Sequence, residues 1–285
     1  MRSLCIVFIV IAVAAPVFAQ DGQGWTFSGR LQGSSNSSAF VTKADTTLGY
    51  GLNRHLQTYV GLPVYIVKGS ATTQTPSAWM SGLGNAYLGF NIFADSDSVN
   101  FTSTVEATAP TGNRDRGFST GHVTVDWTNS LSHSFSSVTP FVSVGLANTV
   151  SDTSFFVRPF TSIGLVSHFD GGATFPLSPF ADVGASGYAV KASGEQTIIS
   201  KSFRELAATT PTTPSTNLRG QGTGRTAVFE NNRRILGGPE LANDHGFSTW
   251  LAARASKMDF QVGYTRSAGY DLNSVFFGVG FRVGN

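Results

Sequence analysis

The sequence predicts an all-β protein that folds as a transmembrane, antiparallel, up-and-down β-barrel of about twelve strands. Apolar residues alternate with small or polar ones in segments of roughly ten residues, the length that a tilted strand needs to cross a bilayer. The last segment is the clearest, with an apolar face of Val275, Phe277, Val279, Phe281 and Val283. Its opposite face carries Phe276, Gly278, Gly280 and Arg282. The apolar face suits lipid, and the other face suits a polar, crowded interior.

The composition argues against several other classes of protein. Charged residues are 13% of the 285 residues, about half of the share usual in soluble proteins. The mean hydropathy of +0.03 is too low for a helical membrane protein, and no segment after the N-terminus has the run of about 18 apolar residues that a spanning helix needs. The net charge of +2, without a basic stripe, gives no sign of nucleic-acid binding. Composition alone also allows a soluble β-sandwich.

Residues 1–19 are typical of a secretory signal peptide. Arg2 precedes an apolar run over residues 4–15, and residues 17–19 form a small-residue cleavage site before Gln20. The only cysteine, Cys5, lies within this segment. We therefore expect the mature barrel, residues 20–285, to contain no disulfide, no catalytic thiol and no cysteine-based metal site.

The walls and connections of the barrel follow from the pattern. We expect strands at 25–33, 39–52, 56–68, 82–93, 99–109, 120–130, 136–148, 159–169, 178–191, 246–256, 259–267 and 274–283. An even count places both termini on the periplasmic side, where the predicted connections are short: 53–55, 94–98, 131–133, 257–258 and one that starts at 170–172. The opposite side has 69–81, 110–119, 149–158 and 192–245. This asymmetry is typical of outer-membrane barrels, and a soluble sandwich gives no reason for it.

The two faces sort as expected in most strands, but the tenth fits poorly. In the first strand, Trp25 and Phe27 oppose Thr26 and Ser28. In the tenth, Trp250 would share a face with Arg254. Either a bulge or an error of register would explain this mismatch.

In these features the mature chain resembles bacterial outer-membrane β-barrel proteins. More narrowly, four short motifs resemble barrels associated with aromatic-compound (phenol) degradation pathways, a family treated as transporters: LGYGL at 48–52, YVGLP at 59–63, GLGN at 82–85 and APTGN at 109–113. The resemblance implies export to the bacterial outer membrane. It also implies contact with outer-membrane lipid and lipopolysaccharide, insertion by the barrel-assembly machinery and passage of small solutes. The ending departs from the pattern, since a terminal Phe is typical and here residues 282–285 follow Phe281.

The predicted lumen face carries both signs of charge. Its basic residues are Arg30, Lys43, Arg254 and Arg282; its acidic residues are Asp45, Glu106, Asp126 and Asp182, with His122 and His168 between them. This balance argues against a strongly selective ion pore, which would show a ring of one sign. Two interpretations stay open: a salt-bridge lattice that closes and stiffens the interior, or a narrow polar pathway for small solutes.

The connection 192–245 is far longer than a usual loop, and such loops tend to be functional or disordered. It could be a plug in the lumen, a lid or partner-binding tip, or a disordered insertion. It could also contain two more strands, near 196–203 and 226–230, which would make fourteen.

The leading functional hypothesis is a channel for passive passage of small solutes, with aromatic compounds as one candidate class. The alternative is a closed structural or binding barrel whose long loop engages a partner or the cell surface. We predict no enzyme, because no serine, histidine and acid fall into a catalytic arrangement. His122 and Asp126, for example, would be about 13 Å apart along one strand. The scattered histidines predict no metal site and no cofactor.

Overall fold

The computed structural model describes residues 23–37, 39–69, 79–96, 98–201, 234–255 and 257–284. The predicted signal peptide at 1–19 and the predicted strand near 226–230 lie outside these residues. The strands are β1 (Gly24–Ser35), β2 (Ala39–Asn53), β3 (Leu56–Gly69), β4 (Trp79–Leu83), β5 (Tyr87–Asp95), β6 (Val99–Thr108), β7 (Thr124–His133), β8 (Thr139–Ala147), β9 (Phe160–Ser178), β10 (Ala181–Ser200), β11 (Arg234–Gly237), β12 (Asp244–Ala255), β13 (Met258–Ser267) and β14 (Leu272–Gly284). A 3₁₀ helix covers Pro239–Leu241. No helix in the described part of the chain is long and apolar enough to cross a membrane.

These strands form a closed antiparallel barrel. Each wall strand pairs with its neighbours, and β14 pairs with β1 from Thr26 to Ser35, which closes the ring. The strands β4 and β5 both pair with β3 and form one wall strand that is interrupted at residues 84–86. The strand β11 pairs only with the outer end of β10. The wall therefore has the predicted twelve strand positions, and the all-β barrel prediction is confirmed.

Several predicted boundaries were wrong. The strand β10 continues to Ser200, so the long connection begins at residue 201 and not at 192. The strand β9 continues to Ser178, so Gly171 and Gly172 lie in the wall, although Asp-Gly-Gly is typical of a turn. A Cβ on Gly172 would collide with the backbone of Ala185, so glycine is needed there for close approach of β9 and β10.

The wall has an apolar outer face and a polar inner face. Large apolar side chains such as Trp25, Val60 and Val262 are exposed on the outside, as a lipid-facing surface requires. Trp250 instead faces the interior and is buried. The ladders on both sides of β12 are regular from Gly246 to Ala253, so neither a bulge nor a shift of register is present there.

The outer face gives a test of the orientation. Val144 is exposed on the outside of β8, and we expect Val144→Arg to lower the free energy of unfolding by about 2–4 kcal/mol, because the guanidinium would face lipid. Urea titration in phospholipid vesicles measures this. Ser143→Arg, one residue away, places the same charge beside an internal cavity and should cost less. Equal losses would contradict the assignment of the faces.

Candidate functional site

Residues 148–159, which connect β8 to β9 and are here called the inner loop, fold into the barrel. Phe156, Val157 and Arg158 are each only 2% exposed, whereas residues of a surface loop would face water. The sequence prediction of an extracellular loop at 149–158 therefore missed its position. A signal was present in the apolar run Phe155-Phe156-Val157, which a solvated loop would not carry.

The inner loop crosses the lumen and is held by the far wall. Its carbonyl oxygens accept hydrogen bonds from side chains of β1 and β13. Gln261 donates to Ser154 at 2.6 Å, and Thr265 donates to Phe155 at 2.9 Å. Ser34 donates to Val157. Since polar groups of a buried loop must be satisfied within the protein, these wall residues fix the path of the inner loop.

A fully buried ion pair holds the end of the inner loop. The Arg158 guanidinium lies 3.1 Å from Asp244, and the two side chains are 2% and 0% exposed. Tyr188 and Ser267 also donate hydrogen bonds to Asp244, at 2.9 and 2.7 Å. Breaking such a pair on one side leaves an uncompensated buried charge, so each partner depends strongly on the other.

A second buried pair holds the start of the inner loop. The Lys201 ammonium, directly after β10, lies 3.4 Å from Asp152. Tyr65 donates to the same carboxylate at 2.8 Å, and the Arg158 backbone N–H donates to it at 2.9 Å. Lys201 also lies 4.3 Å from the centroid of the Tyr65 ring. The start of the long connection is thus tied to the inner loop, within the barrel.

An aromatic cluster lies beneath the inner loop. The Phe155 ring stacks on Trp250 at 4.2 Å between centroids, and Phe276 meets Phe155 edge-on at 5.7 Å. Phe141 lies 6.3 Å from Trp250. The Trp250 ring lies over Gly184 of the neighbouring strand, where a Cβ would collide with it. Small residues opposite large ones let this cluster lie flat against the wall.

The middle of the lumen carries a network of tyrosines and charges. Lys43 pairs with Asp45 at 3.2 Å, and Tyr87 donates to Asp45 at 2.7 Å. Tyr59 donates to Glu106 at 3.0 Å. The Tyr59 ring lies over Gly89, and the Tyr87 ring lies over Gly61 of the YVGLP motif. A side chain at either glycine would displace the ring above it.

Asp126 and His168 meet in the same region. The His168 Nε2 lies 3.0 Å from Asp126, and Thr128 and Ser151 donate to this carboxylate at 2.8 and 3.1 Å. No group of three or more potential metal ligands occurs within the residues that the structure describes. The arrangement is one of hydrogen bonds in a polar lumen wall.

Four of the predicted lumen residues lie at the periplasmic mouth. Arg30 pairs with Asp259 at 2.7 Å, and Arg254 pairs with Asp182. Arg282 is exposed at the end of β14 and lines a pocket there with Arg30 and Arg254. The prediction that His122 lines the lumen was wrong. The strand β7 begins at Thr124 and not at residue 120, so His122 lies exposed in the connection before it, outside the wall.

The exposure of the ion pairs differs between the two ends of the barrel. The Arg30 and Asp259 side chains at the periplasmic mouth are 35% and 42% exposed. Those of Lys201 and Asp152 at the inner loop are 4% and 8% exposed. The interior is therefore open to water from the periplasmic side and narrowed toward the extracellular side.

Two of the motifs that carried the narrower resemblance meet in space. The GLGN motif at 82–85 interrupts the wall between β4 and β5. There the Asn85 side chain accepts from the Gly112 N–H at 3.3 Å, and Ala86 donates to Thr111 at 2.8 Å. The APTGN motif at 109–113 thus folds against residues 84–86. It supplies hydrogen bonds that these residues, which are outside the strand ladders, would otherwise lack.

The charge of Asp152 gives a test of the inner loop. Burial raises the pKa of this carboxyl, but Lys201, Lys43 and the hydrogen bonds outweigh burial and hold the pKa below its ordinary value of 3.8. The ionised form therefore stabilises the fold above that value, and this contribution is lost as the pH falls through the lower pKa of the folded state. Between about pH 4 and pH 2, we expect the unfolding temperature of the wild type to fall more steeply than that of Asp152→Asn. Circular dichroism measures both, and parallel slopes would contradict this assignment.

No family model and no curated protein matches the chain. Among solved structures, an outer-membrane channel from Pseudomonas putida F1 aligns over 93% of this chain and 97% of its own, with 12% identity and a TM-score of 0.58. The KdgM porin in complex with disordered oligogalacturonate aligns over 89% and 98%, with 6% identity and a TM-score of 0.48. The NanC porin aligns over 90% and 100%, with 10% identity and a TM-score of 0.46.

The similarity to the Pseudomonas channel is one of fold, and the TM-scores of the two porins are too low to add to it. None of these comparisons bears on the narrower resemblance to barrels of phenol degradation. The predicted resemblance to bacterial outer-membrane barrels is confirmed, and the chain has the fold of an outer-membrane channel.

Proposed function

We propose that this protein is a passive channel of the bacterial outer membrane for small solutes, and that the inner loop limits what passes. The observation that carries the proposal is the inner loop itself, which crosses a polar lumen and leaves a cavity of about 370 Å³ against the inner face of β7 to β10. A volume of this order suits a small organic molecule. A barrel of this strand number is also intermediate between small filled barrels and wide porins.

The aromatic cluster supports a preference for aromatic solutes. Phe155 lines the cavity directly, and Trp250 stacks beneath it. Aromatic rings offer apolar area and favourable edge-to-face contacts to another ring. This feature agrees with the transporter family that the sequence motifs resemble.

The alternative is a closed barrel that binds a partner. The buried pairs Arg158–Asp244 and Lys201–Asp152 favour it, since they close the extracellular half of the interior. The two functions differ in whether the inner loop leaves a path for solutes.

Single-channel conductance of the refolded mature chain, from Gln20, separates the two. We expect discrete steps from the wild type and larger steps from Asp152→Asn combined with Lys201→Met, which frees the start of the inner loop. The matched control is Asp271→Asn combined with Arg266→Met, a pair at an exposed outer turn, which should leave the steps unchanged. If neither the wild type nor the loop variant conducts, the channel function is overturned and the closed barrel is supported.

Thiol labelling tests the path itself, because the only cysteine precedes the mature chain. Ser130 bonds Ser143 on the inner face of β7, and the adjacent Leu131 is exposed on the outer face. A charged, membrane-impermeant thiol reagent should modify Ser130→Cys and reduce its current. Leu131→Cys is the control and should not respond. Modification of Ser130→Cys without loss of current would contradict a path through this part of the lumen.

A further inference from the structure

The cavity beside the inner loop is lined by both apolar and polar groups. The apolar residues are Val150, Phe155, Phe156, Val166 and Val190. The polar residues include the carboxylates of Asp126 and Asp170 together with serine and threonine hydroxyls. A site with an apolar body and a few convergent polar groups is the usual form of a small-molecule site.

Asp170 is the least compensated group of this cavity. Its Oδ1 is shielded from solvent and has no hydrogen-bond partner within the described residues. The Ser186 hydroxyl and the Gly171 backbone donate hydrogen bonds to this carboxylate, and His168 attracts it. The residues opposite Asp170 across β8 and β10 are Ser143 and Tyr188. No lysine or arginine of the described residues forms an ion pair with Asp170, so a cationic group of a solute would compensate its charge.

The basic side chains deeper in the described interior are already paired, and Arg282, which has no carboxylate partner among these pairs, lies exposed at the mouth. Within the described ranges, the direct ion pairs inside the barrel are Arg30–Asp259, Lys43–Asp45, Arg158–Asp244, Lys201–Asp152 and Arg254–Asp182. Glu106, Asp126 and Asp170 have no Lys or Arg partner in this set. His168 lies within ion-pair distance of Asp126. The lumen wall from β6 to β9 is therefore negative, although the count of charges in the sequence is balanced.

Two of these carboxylates directly face each other in the wall. Glu106 of β6 and Asp126 of β7 are register partners on the lumen side. Like charges at directly opposite positions destabilise a sheet. A cation in the lumen would relieve that repulsion, which favours positive solutes over negative ones.

We propose that this cavity binds a small organic cation: a protonated amine carried on an aromatic body. The ammonium donates hydrogen bonds to Asp170, the charge of Asp126 in the same cavity adds to the attraction, and the ring lies against Phe155 and Phe156. This deepens the proposed channel function, on which it rests for the route by which the solute enters. Arg158 also lines the cavity, but its guanidinium is paired with Asp244, so the carboxylates without a lysine or arginine partner disfavour an aromatic carboxylate at the same position.

Trp250 provides a direct reporter of binding. It contacts Phe155 at the edge of the cavity, whereas Trp25, Trp79 and Trp127 are exposed on the outer face. Replacing those three by Phe leaves Trp250 as the single tryptophan, which can be excited selectively over the tyrosines. In this background we would titrate 2-phenylethylamine, 2-phenylethanol and phenylacetate, which share one ring and differ in charge.

We expect saturable fluorescence change with the amine, at least about tenfold weaker binding of the alcohol, and no binding of the carboxylate. Asp170→Asn, which keeps the shape of the side chain, should weaken the amine about tenfold and leave the alcohol unchanged. Asp95→Asn, at an exposed periplasmic turn, is the control for the loss of one negative charge. Asp126→Asn replaces Asp170→Asn if the latter does not fold.

Equal binding of all three compounds, or amine binding that is unchanged in Asp170→Asn and in Asp126→Asn, would overturn the proposal. Conductance separates this failure from failure of the channel. Conducting barrels that show no preference for the amine would overturn the site alone. Amine binding by a barrel that never conducts would support the site and overturn the channel.

Discussion

The pairing of β14 with β1 is the constraint on which the rest of this structure depends. A bilayer offers no water to backbone N–H and C=O groups, so a sheet can span it only when no edge is left open. Ring closure satisfies the backbone within the wall and frees side chains to divide into two sets. The outer set is apolar because it faces lipid. The inner set is released from that requirement and can carry charge.

Closure creates a second problem, because a ring of this size is too wide for its own side chains to fill. The inner loop solves it at the extracellular half. To enter the barrel it must bring backbone polar groups and two charged residues out of water, and each requires a partner. Asp244 and Lys201 provide the charges, while Ser34, Gln261 and Thr265 provide the donors. A wall built to hold a loop in this way also determines where the remaining space lies.

The alternation of residues predicted the wall because it reflects a local rule: successive side chains of a strand face opposite sides. The barrel, its strand number and the short periplasmic turns all follow from that rule. Ends of strands were less predictable, since Asp170-Gly171-Gly172 has the composition of a turn but serves close approach of β9 and β10. The position of the inner loop depends on contacts with β1, β3 and β13, which are distant in sequence. Such contacts leave no local pattern in the sequence, and only the apolar run Phe155–Val157 indicated that the inner loop is buried.

The charge pattern of the lumen was also only partly predictable from the sequence. Counted along the sequence the charges balance, and the balance argued against a strongly selective ion pore. In space, the lysines and arginines of the described interior form pairs, apart from Arg282 at the mouth, and these pairs are neutral at a distance. What a solute experiences is the remainder: Glu106 and Asp126 face each other across one pair of strands, and Asp170 lines the cavity. Opposed carboxylates lower stability, and their cost falls when a cation lies between them. The arrangement of charge, and not its sum, is therefore the property from which the proposed preference of this lumen for cations follows.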